Sequence, residues 1–304
     1  MGLMNALKAL VPAALKNTVK RALKNRSREL FERQAVKLDK AALVKGFRAA
    51  GLGNGDALFI HSSLKGLGFI EGGALTVIEA FQELVGPMGT LVFPTFTMNA
   101  SMAVTLADAD RVFDVAESPS TVGAITNTFR QRPGVFRSVH PTHSLAAWGA
   151  RSEWLVTDHE KAASTFGKDS PFGRFLEING KIVGLGIGFG PVTFYHVVED
   201  LHPGLFPGVY LPDHFTARVR HRDGTEGMMN MRCHDPAHHA RRIDKDADIE
   251  RYWAGHLLRQ GIAHRSPVGQ GAVWWMRAAD LVREQVTLQQ QDVSIYRVPG
   301  PEGQ

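Results

Sequence analysis

Residues 57–68 read ALFIHSSLKGLG, a short apolar run followed directly by hydroxyl side chains and glycines. A run of this length bounded by turn-forming residues is typical of a buried β-strand, here residues 57–61. The serines and glycines after it leave backbone N–H groups free at the strand end, where they can hold a phosphate group. The segment lacks the spacing of a nucleotide P-loop, so a phosphate-binding turn and a plain turn both remain open.

Short apolar runs alternate with amphipathic stretches on both sides of this segment. Alternation of strands and helices favours an α/β fold. Further strands are expected at residues 90–93, 144–149 and 181–186, and helices at residues 40–50, 75–85, 122–130 and 192–200. A smaller lobe is expected after them, made of a hairpin at residues 208–232 with its turn at Asp223-Gly224, then helices at residues 244–260 and 273–285.

The chain of 304 residues has a formal net charge of +5, and the positive charge is concentrated at its start. Residues 1–28 hold seven basic residues and no acidic one, so removing these seven from the 35 in the chain leaves 28 against 30 acidic residues. A nucleic-acid-binding protein should carry a basic face on its folded body. The composition therefore predicts no nucleic-acid partner.

The basic start of the chain has the spacing of an amphipathic helix. Leucine and valine recur every three to four residues over residues 3–30, although Pro12 would break or kink the helix. This helix either packs on the folded body with its charges solvated or lies on an anionic membrane surface. We divide the chain into this basic helix, residues 1–34, and one domain, residues 35–300.

The single cysteine, Cys233, excludes a disulfide within the chain and favours a reducing compartment. No apolar run approaches the ~20 residues that a membrane span needs, and the start lacks a convincing secretory cleavage site. We therefore expect a cytoplasmic protein, with peripheral contact to the inner face of the membrane through residues 1–30 as the alternative. The sequence indicates no particular oligomeric state.

Two more segments combine polar residue types that could carry chemistry. Residues 118–144 begin with SPSTVG, typical of a helix start, and continue with arginines and hydroxyls that could form an anion pocket. In residues 193–200, TFYHVVED, helical spacing brings Thr193, His196 and Asp200 to one face and Glu199 next to His196. A histidine beside a carboxylate can accept a proton near neutral pH, but spacing alone favours a structural histidine.

Five segments, taken in order, resemble the aminoglycoside 3-N-acetyltransferase family. They are HSSL at the first strand end, VGPMGTLVFPTFT at 85–97, SPSTVGAITNTFRQRPGVFRSVHPTHSLAAWG at 118–149, FGKDSPFGRFLEINGKIVGLGIGF at 166–189 and TFYHVVE at 193–199. The resemblance extends from about residue 38 to residue 210 and is weaker beyond. It implies a three-layer α/β/α sandwich around a mixed sheet and direct acetyl transfer from acetyl-coenzyme A to an amine.

The resemblance also implies roles for individual residues. His196 would be the general base, with Glu199 as its partner and Thr193 beside the thioester. The residues along the coenzyme path would be Ser62, Ser63, Leu64, Ser120, Arg137, Ser138, His140 and Ser144. A polycationic acceptor would need carboxylates, for which the candidates beside Glu199 are Asp114, Glu117, Asp169 and Asp200. We expect no metal.

Two functions of different classes remain. One is acetyl transfer to an amino group of an aminoglycoside or of an amino sugar from polysaccharide or secondary metabolism. The other is a non-catalytic coenzyme A or sugar-phosphate binding module at a membrane surface. A protonated amine is not a nucleophile, so the enzyme needs a base, whereas the module needs none. The combination of His196, Glu199 and Thr193 therefore favours the enzyme.

Three features stay outside this scheme. The role of His143 is open. Residues 233–239, CHDPAHH, include metal-binding residue types without an established zinc-finger spacing, and we interpret them as a solvated loop. The glycines of residues 184–190 do not match the dinucleotide-binding spacing, so we interpret them as a place where backbone segments pack closely.

Overall fold

A seven-stranded mixed sheet forms the centre of the computed structural model, which describes residues 36–98, 100–238 and 242–299. The strands are β1 (Lys37–Leu38), β2 (Ala57–Ser62), β3 (Phe69–Ile70), β4 (Thr90–Pro94), β5 (Val112–Asp114), β6 (Phe136–Arg137), β7 (Leu145–Gly149), β8 (Lys181–Leu185), β9 (Tyr210–Arg220), β10 (Glu226–His234), β11 (Ala263–Val268) and β12 (Gly271–Arg277). The large sheet has the order β11-β12-β8-β2-β4-β7-β6. Within it β2 is parallel to β4 and β8, and the other neighbours are antiparallel.

The helices are mostly short and several begin with a side-chain cap. They are α1 (Lys40–Ala49), α2 (Ala74–Val85), α3 (Met102–Leu106), α4 (Ala124–Arg130), α5 (Ser152–Val156), α6 (Pro171–Glu177), α7 (Val197–Leu201), α8 (Ala247–Arg259) and α9 (Ala278–Gln289). Asp39, Ser170 and Asp246 accept hydrogen bonds from the first-turn N–H groups of α1, α6 and α8. Such caps satisfy donors that have no partner inside the helix.

The large sheet buries a different hydrophobic cluster on each face. Leu58 and Ile60 of β2 join the cluster that α1, α2 and α4 cover, whereas Phe59 joins the cluster that α6, α7, α8 and α9 cover. This division follows from the alternation of side chains along a strand. The sheet is therefore covered on both faces, as its central and largely apolar parallel strands require.

A second, three-stranded sheet of the order β10-β9-β5 packs against α3. Its core is a separate cluster that contains Met102, Met229, Met231 and Cys233. The third, minor sheet pairs β1 with β3. Among the described residues, no helix is both long and apolar enough to cross a membrane.

The predicted α/β fold with a large mixed sheet is confirmed, and the hairpin predicted at residues 208–232 is present as β9 and β10. The predicted smaller lobe is wrong in part, because α8 and α9 pack on the main sheet through residues such as Trp253 and Leu281. The helix predicted at residues 3–30 lies outside the described residues.

The helix predicted at residues 273–285 is wrong in its first part. These residues begin within strand β12, and helix α9 starts only at Ala278. Val273, Trp274 and Met276 are all buried, so the run shows no alternation that would mark it as a strand. Strand β11 was not predicted, since AHRSPV is polar and contains a proline, which an edge strand tolerates.

Candidate active site

Four chain segments meet at one edge of the large sheet. The parallel strands β2, β4 and β8 end there, and the antiparallel β7 begins there, with Leu145 opposite Pro94. Open α/β sheets bind ligands at the carboxyl ends of their parallel strands. The polar segments identified in the sequence follow or precede these strand ends, so the fold brings them together.

His196 lies between a carboxylate and a guanidinium. Its Nδ1 is 2.8 Å from Glu199 Oε2, and Nη1 of Arg242 is 2.9 Å from its Nε2. An arginine N–H can only donate, so Nε2 holds the lone pair and the ring proton sits on Nδ1, which donates to Glu199. This tautomer leaves Nε2 as the basic atom of the side chain.

Glu199 is buried behind His196 with three polar neighbours. Besides His196, the hydroxyl of Tyr296 donates to Glu199 Oε1 at 2.6 Å, and Nε2 of His234 is 3.7 Å from Oε2. Burial and the charge of Glu199 raise the pKa of Tyr296, so its hydroxyl remains a donor. The carboxylate is thus paired on both oxygens, as a buried charge must be.

His196, Glu199 and His234 also have donor atoms within 4.8 Å of one another, a spacing that could suit a metal ion. A metal requires an unprotonated ring nitrogen at the ligand position. Arg242 donates to Nε2 of His196, which leaves the proton on Nδ1, the nitrogen that faces Glu199. In this arrangement Nδ1 has no lone pair to offer, and the three residues are better suited to proton transfer than to metal binding.

An aromatic wall covers one side of His196. The ring of Phe166 lies 5.4 Å from the His196 ring and stacks on His234 with an interplanar angle of 11°. Asp200 accepts hydrogen bonds from the Phe166 backbone N–H and from the Tyr210 hydroxyl. Asp200 therefore holds the aromatic wall in place, which differs from the substrate contact proposed for it from its charge.

A cavity of about 220 Å³, which we call the acceptor cavity, opens on the other side of His196. Its polar lining comes from His143, Thr193, His196, Arg242 and Asp244. The remaining lining is largely apolar and comes from Phe96, Met98, Val122, Gly190, Pro191, Val192, Tyr195, Ile243 and Ile295. The structure thus brings Thr193 and His196 to one cavity, as the spacing predicted.

His140, His143 and His159 form a second group, which we call the histidine network. His140 Nε2 lies 3.2 Å from the Thr165 hydroxyl, and its Nδ1 accepts from the backbone N–H of His143 at 3.0 Å. His159 lies 3.0 Å from the Ser138 hydroxyl. Burial lowers the pKa of His159 to about 3 and those of His140 and His143 well below the usual value. All three are therefore neutral in the folded protein.

Arg137 is buried beside this network, and the protein itself occupies its donors. The guanidinium donates to the Thr95 and Ser144 hydroxyls and to the backbone oxygens of Thr95, Val115 and Ser118. These bonds tie the end of β4 to the loop after β5. The geometry favours a framework role for Arg137, and a contact to the coenzyme stays a prediction.

The other residues on the predicted coenzyme path fall into two groups. Ser120, Ser138, His140 and Ser144 are buried and hydrogen-bonded within the protein, for example Ser138 to the Leu145 N–H at 2.9 Å. Ser62, Ser63 and Leu64 are half-exposed at the end of β2 and the turn after it. This second group is open to a ligand, so the strand end remains the best candidate for contact with the coenzyme.

Glycines hold this strand end against the rest of the sheet. A Cβ on Gly66 would lie 1.9 Å from the Gly186 carbonyl oxygen, and one on Gly271 would lie 2.0 Å from the Gly66 oxygen. Such contacts admit only glycine. The interpretation of residues 184–190 as close backbone packing is therefore confirmed.

The carboxylates proposed for substrate binding do not gather around the acceptor cavity. Asp114 accepts two backbone N–H groups and pairs with Arg220 at 3.3 Å, while Glu117 and Asp169 are exposed away from the cavity lining. Glu199 is covered by His196 and its other partners. Among the described residues that line the cavity, Asp244 is the sole carboxylate.

Sequence reasoning missed Arg242, Tyr296 and His234 as site residues. Arg242 and Tyr296 lie far along the chain from His196 and outside the segments that carry the resemblance, so no local spacing pointed to them. Cys233 and His234 were interpreted as part of a solvated loop, which is wrong because both are buried at the end of β10. The histidines in that stretch were the one available signal.

Comparison with known proteins gives one family. The family model described as aminoglycoside 3-N-acetyltransferase matches residues 59–290. The aminoglycoside N(3)-acetyltransferase III of Acinetobacter baumannii is 36% identical over 172 residues, which cover 53% of this chain and 59% of that protein. The aligned part of the chain thus spans less than two thirds of that relative.

Solved structures agree over most of the chain. The apoenzyme of aminoglycoside acetyltransferase AAC(3)-IVa has a TM-score of 0.69 at 26% identity and covers 89% of this chain and 95% of its own. AAC-VIa bound to sisomicin has a TM-score of 0.70 at 26% identity and covers 84% and 99%.

Proposed function

Because the chain belongs to the aminoglycoside 3-N-acetyltransferase family, we propose that it transfers an acetyl group from acetyl-coenzyme A to an amino group of an aminoglycoside or another amino sugar. The observation that supports the proposal most is the arrangement of His196. The side chain is fixed by Glu199, presents Nε2 as a base and lines a cavity large enough for part of a sugar.

The proposed reaction begins with the acceptor in its ammonium form. Nε2 of His196 takes a proton from the ammonium, and the resulting imidazolium is stabilised by the Glu199 carboxylate that accepts from Nδ1. The neutral nitrogen attacks the thioester carbonyl carbon. The new C–N bond forms and the C–S bond breaks. The nitrogen loses its second proton, which the thiolate of coenzyme A receives, and the His196 imidazolium releases the first proton to water.

The tetrahedral intermediate places a negative charge on the former carbonyl oxygen. A donor must face that oxygen for the barrier to fall. The Thr193 hydroxyl lies at the cavity lining next to His196, so Thr193 is our candidate, together with nearby backbone N–H groups. No covalent enzyme intermediate is needed, and Cys233 is buried in the core of the small sheet, with its pKa raised by burial to about 11.

The coenzyme would approach from the strand-end side. Ser62, Ser63 and Leu64 stand at the end of β2, and a second cavity of about 450 Å³ begins at Gly66 and Gly186. Arg251 and Arg265 also line this cavity and could pair with phosphate groups. The alternative of a non-catalytic binding module has no use for the buried pair of His196 and Glu199.

Release of free thiol from acetyl-coenzyme A tests the proposal directly. The purified chain is offered a panel of amino sugars and aminoglycosides, and we expect thiol release that depends on both the acceptor and His196. Calorimetry should show micromolar-range binding of acetyl-coenzyme A, and the melting temperature should rise because the ligand favours the folded state. Absence of binding at millimolar coenzyme would remove the basis of the proposal.

A further inference from the structure

Arg242 occupies the position where the base of the proposed reaction needs its substrate. Its Nη1 is 2.9 Å from the lone pair of His196 Nε2. Its other nitrogens form a fork with Asp244, with Nε–Oδ1 at 2.6 Å and Nη2–Oδ2 at 2.7 Å. All three side chains line the acceptor cavity.

The guanidinium reproduces what a protonated acceptor would present. It is a cation, it points an N–H at the base, and it has a carboxylate on its other side. Burial opposes the charge of Arg242, but the hydrogen bonds and charge of Asp244 outweigh it, so the pKa of Arg242 is raised and the side chain stays cationic.

One lone pair cannot accept two donors. While Arg242 donates to Nε2, His196 cannot take a proton from an acceptor, so the guanidinium must move before the reaction. The pair of Arg242 and Asp244 is about one quarter exposed, so the guanidinium has a route from the cavity to water.

Asp244 supplies the negative charge of the lining. It is the sole carboxylate among the described residues of the lining, and the acids proposed from the sequence lie elsewhere. A buried ammonium needs a paired charge, so Asp244 is the group that can hold the acceptor ammonium in this cavity.

Resting on the proposed function, we propose that Asp244 and His196 Nε2 form the binding site of the acceptor ammonium and that Arg242 fills this site before the acceptor arrives. Asp244 is then the residue that binds the amine. Arg242 competes with the acceptor for this site and so lowers the apparent affinity for the acceptor.

The first experiment measures binding and needs no turnover. Propylguanidinium has the same head group as the arginine side chain, so the Arg242→Ala variant should bind it in the vacated site. Calorimetry should show at least about tenfold tighter binding than to the wild type, because the site is no longer occupied in advance. Adding Asp244→Asn to Arg242→Ala should abolish this gain.

The control variant is Arg283→Ala, which removes an exposed arginine paired with Asp280 on α9, outside the acceptor cavity. It should bind propylguanidinium no better than the wild type. Equal binding to wild type, control and Arg242→Ala overturns the proposal. If Arg242→Ala does not fold by circular dichroism, Arg242→Ser replaces it, since serine is also too short to reach Nε2 of His196.

The second experiment uses glucosamine as a monoamino probe and sisomicin as a polycationic one. Arg242→Ala should raise kcat/KM for glucosamine about tenfold, mainly through a lower KM, and Asp244→Asn should lower it. A loss of kcat in Arg242→Ala would assign Arg242 to the chemistry instead. With sisomicin the two substitutions should act in the same directions, because its reacting ammonium would use the same site, and opposite effects would refute the site. Absence of thiol release with every amine is a failure of the proposed function, and the propylguanidinium result still decides whether the site exists.

Discussion

The pair of His196 and Glu199 and the histidine network lie at the same sheet edge, but their partners differ in chemistry. His140 and His159 contact hydroxyls and backbone groups, which do not outweigh the effect of burial, so their pKa values fall. His196 has a carboxylate on one nitrogen, which stabilises the protonated ring. A buried histidine is therefore not by itself a sign of catalysis. The charge of the group that its ring contacts distinguishes a candidate base from a structural histidine.

Replacing His196 by alanine is the strongest test of this comparison. We expect kcat to fall by ~10²–10⁴, the usual contribution of a general base. Binding of acetyl-coenzyme A should change little, because His196 lies on the acceptor side. Steady-state kinetics and coenzyme calorimetry on the same preparation separate the two effects.

His143→Asn is the matched control, since His143 lines the same cavity but belongs to the histidine network. Its pKa is well below the usual value, so it is a weak base and its loss should lower kcat by less than about tenfold. If His143→Asn is the more damaging substitution, the assignment of the base to His196 is wrong and the comparison fails.

Glu199→Gln should have an intermediate effect. The amide oxygen can still accept from Nδ1 of His196, so the hydrogen bond is kept and only the charge is lost. The charge stabilises the imidazolium that forms during the reaction, so we expect kcat to fall about 10–100-fold, less than on loss of the base itself. Steady-state kinetics measures the fall, and an unchanged kcat in Glu199→Gln would show that the carboxylate does not stabilise the imidazolium.

The histidine network should make the fold sensitive to acid. Unfolded His159 takes up a proton below its ordinary pKa of 6.5, whereas the folded residue stays neutral down to a pKa of about 3. Protons thus bind the unfolded chain more strongly, and the stability present above pH 6.5 is lost as the pH falls towards 3. Well below pH 6.5, each such histidine lowers the free energy of unfolding by about 1.4 kcal/mol for every pH unit that the pH falls. This is a factor of ten in the unfolding equilibrium constant.

Urea unfolding at several pH values between 6 and 4 measures this slope. His159→Gln should reduce the slope by about 1.4 kcal/mol per pH unit, whatever its effect on stability at pH 7. An exposed histidine such as His214 provides the control, because His214→Gln should leave the slope unchanged. An unchanged slope in His159→Gln would mean that this histidine is already protonated in the folded state.

Sequence reasoning located the large sheet and the residues close to His196 in the chain. The strand at residues 57–62 and the contact of His196 with Glu199 both follow from local spacing, which periodicity and the three-residue offset reveal. Strand β12 was assigned to a helix because buried central strands show no alternation. Hydrophobic periodicity cannot distinguish a strand from a helix in a run that is apolar throughout.

The rest of the site depends on contacts between distant parts of the chain. Arg242 and Tyr296 meet the His196–Glu199 pair from 46 and 97 residues away, respectively. Asp114 and Asp200 were assigned to the substrate from their charge, but the fold uses both within the framework. Charge and residue type do not reveal whether a carboxylate faces a cavity or a neighbouring N–H group.

The close contact of Gly66, Gly186 and Gly271 also bears on how this protein can change over generations. Any side chain at these positions displaces the backbone of another segment, so a library of random variants should return glycine there almost without exception. The strand end that we propose for the coenzyme is thereby closed to gradual variation. New acceptor preferences would have to arise across the cavity, at positions such as Met98, Val122 and Ile295, where side chains form the lining.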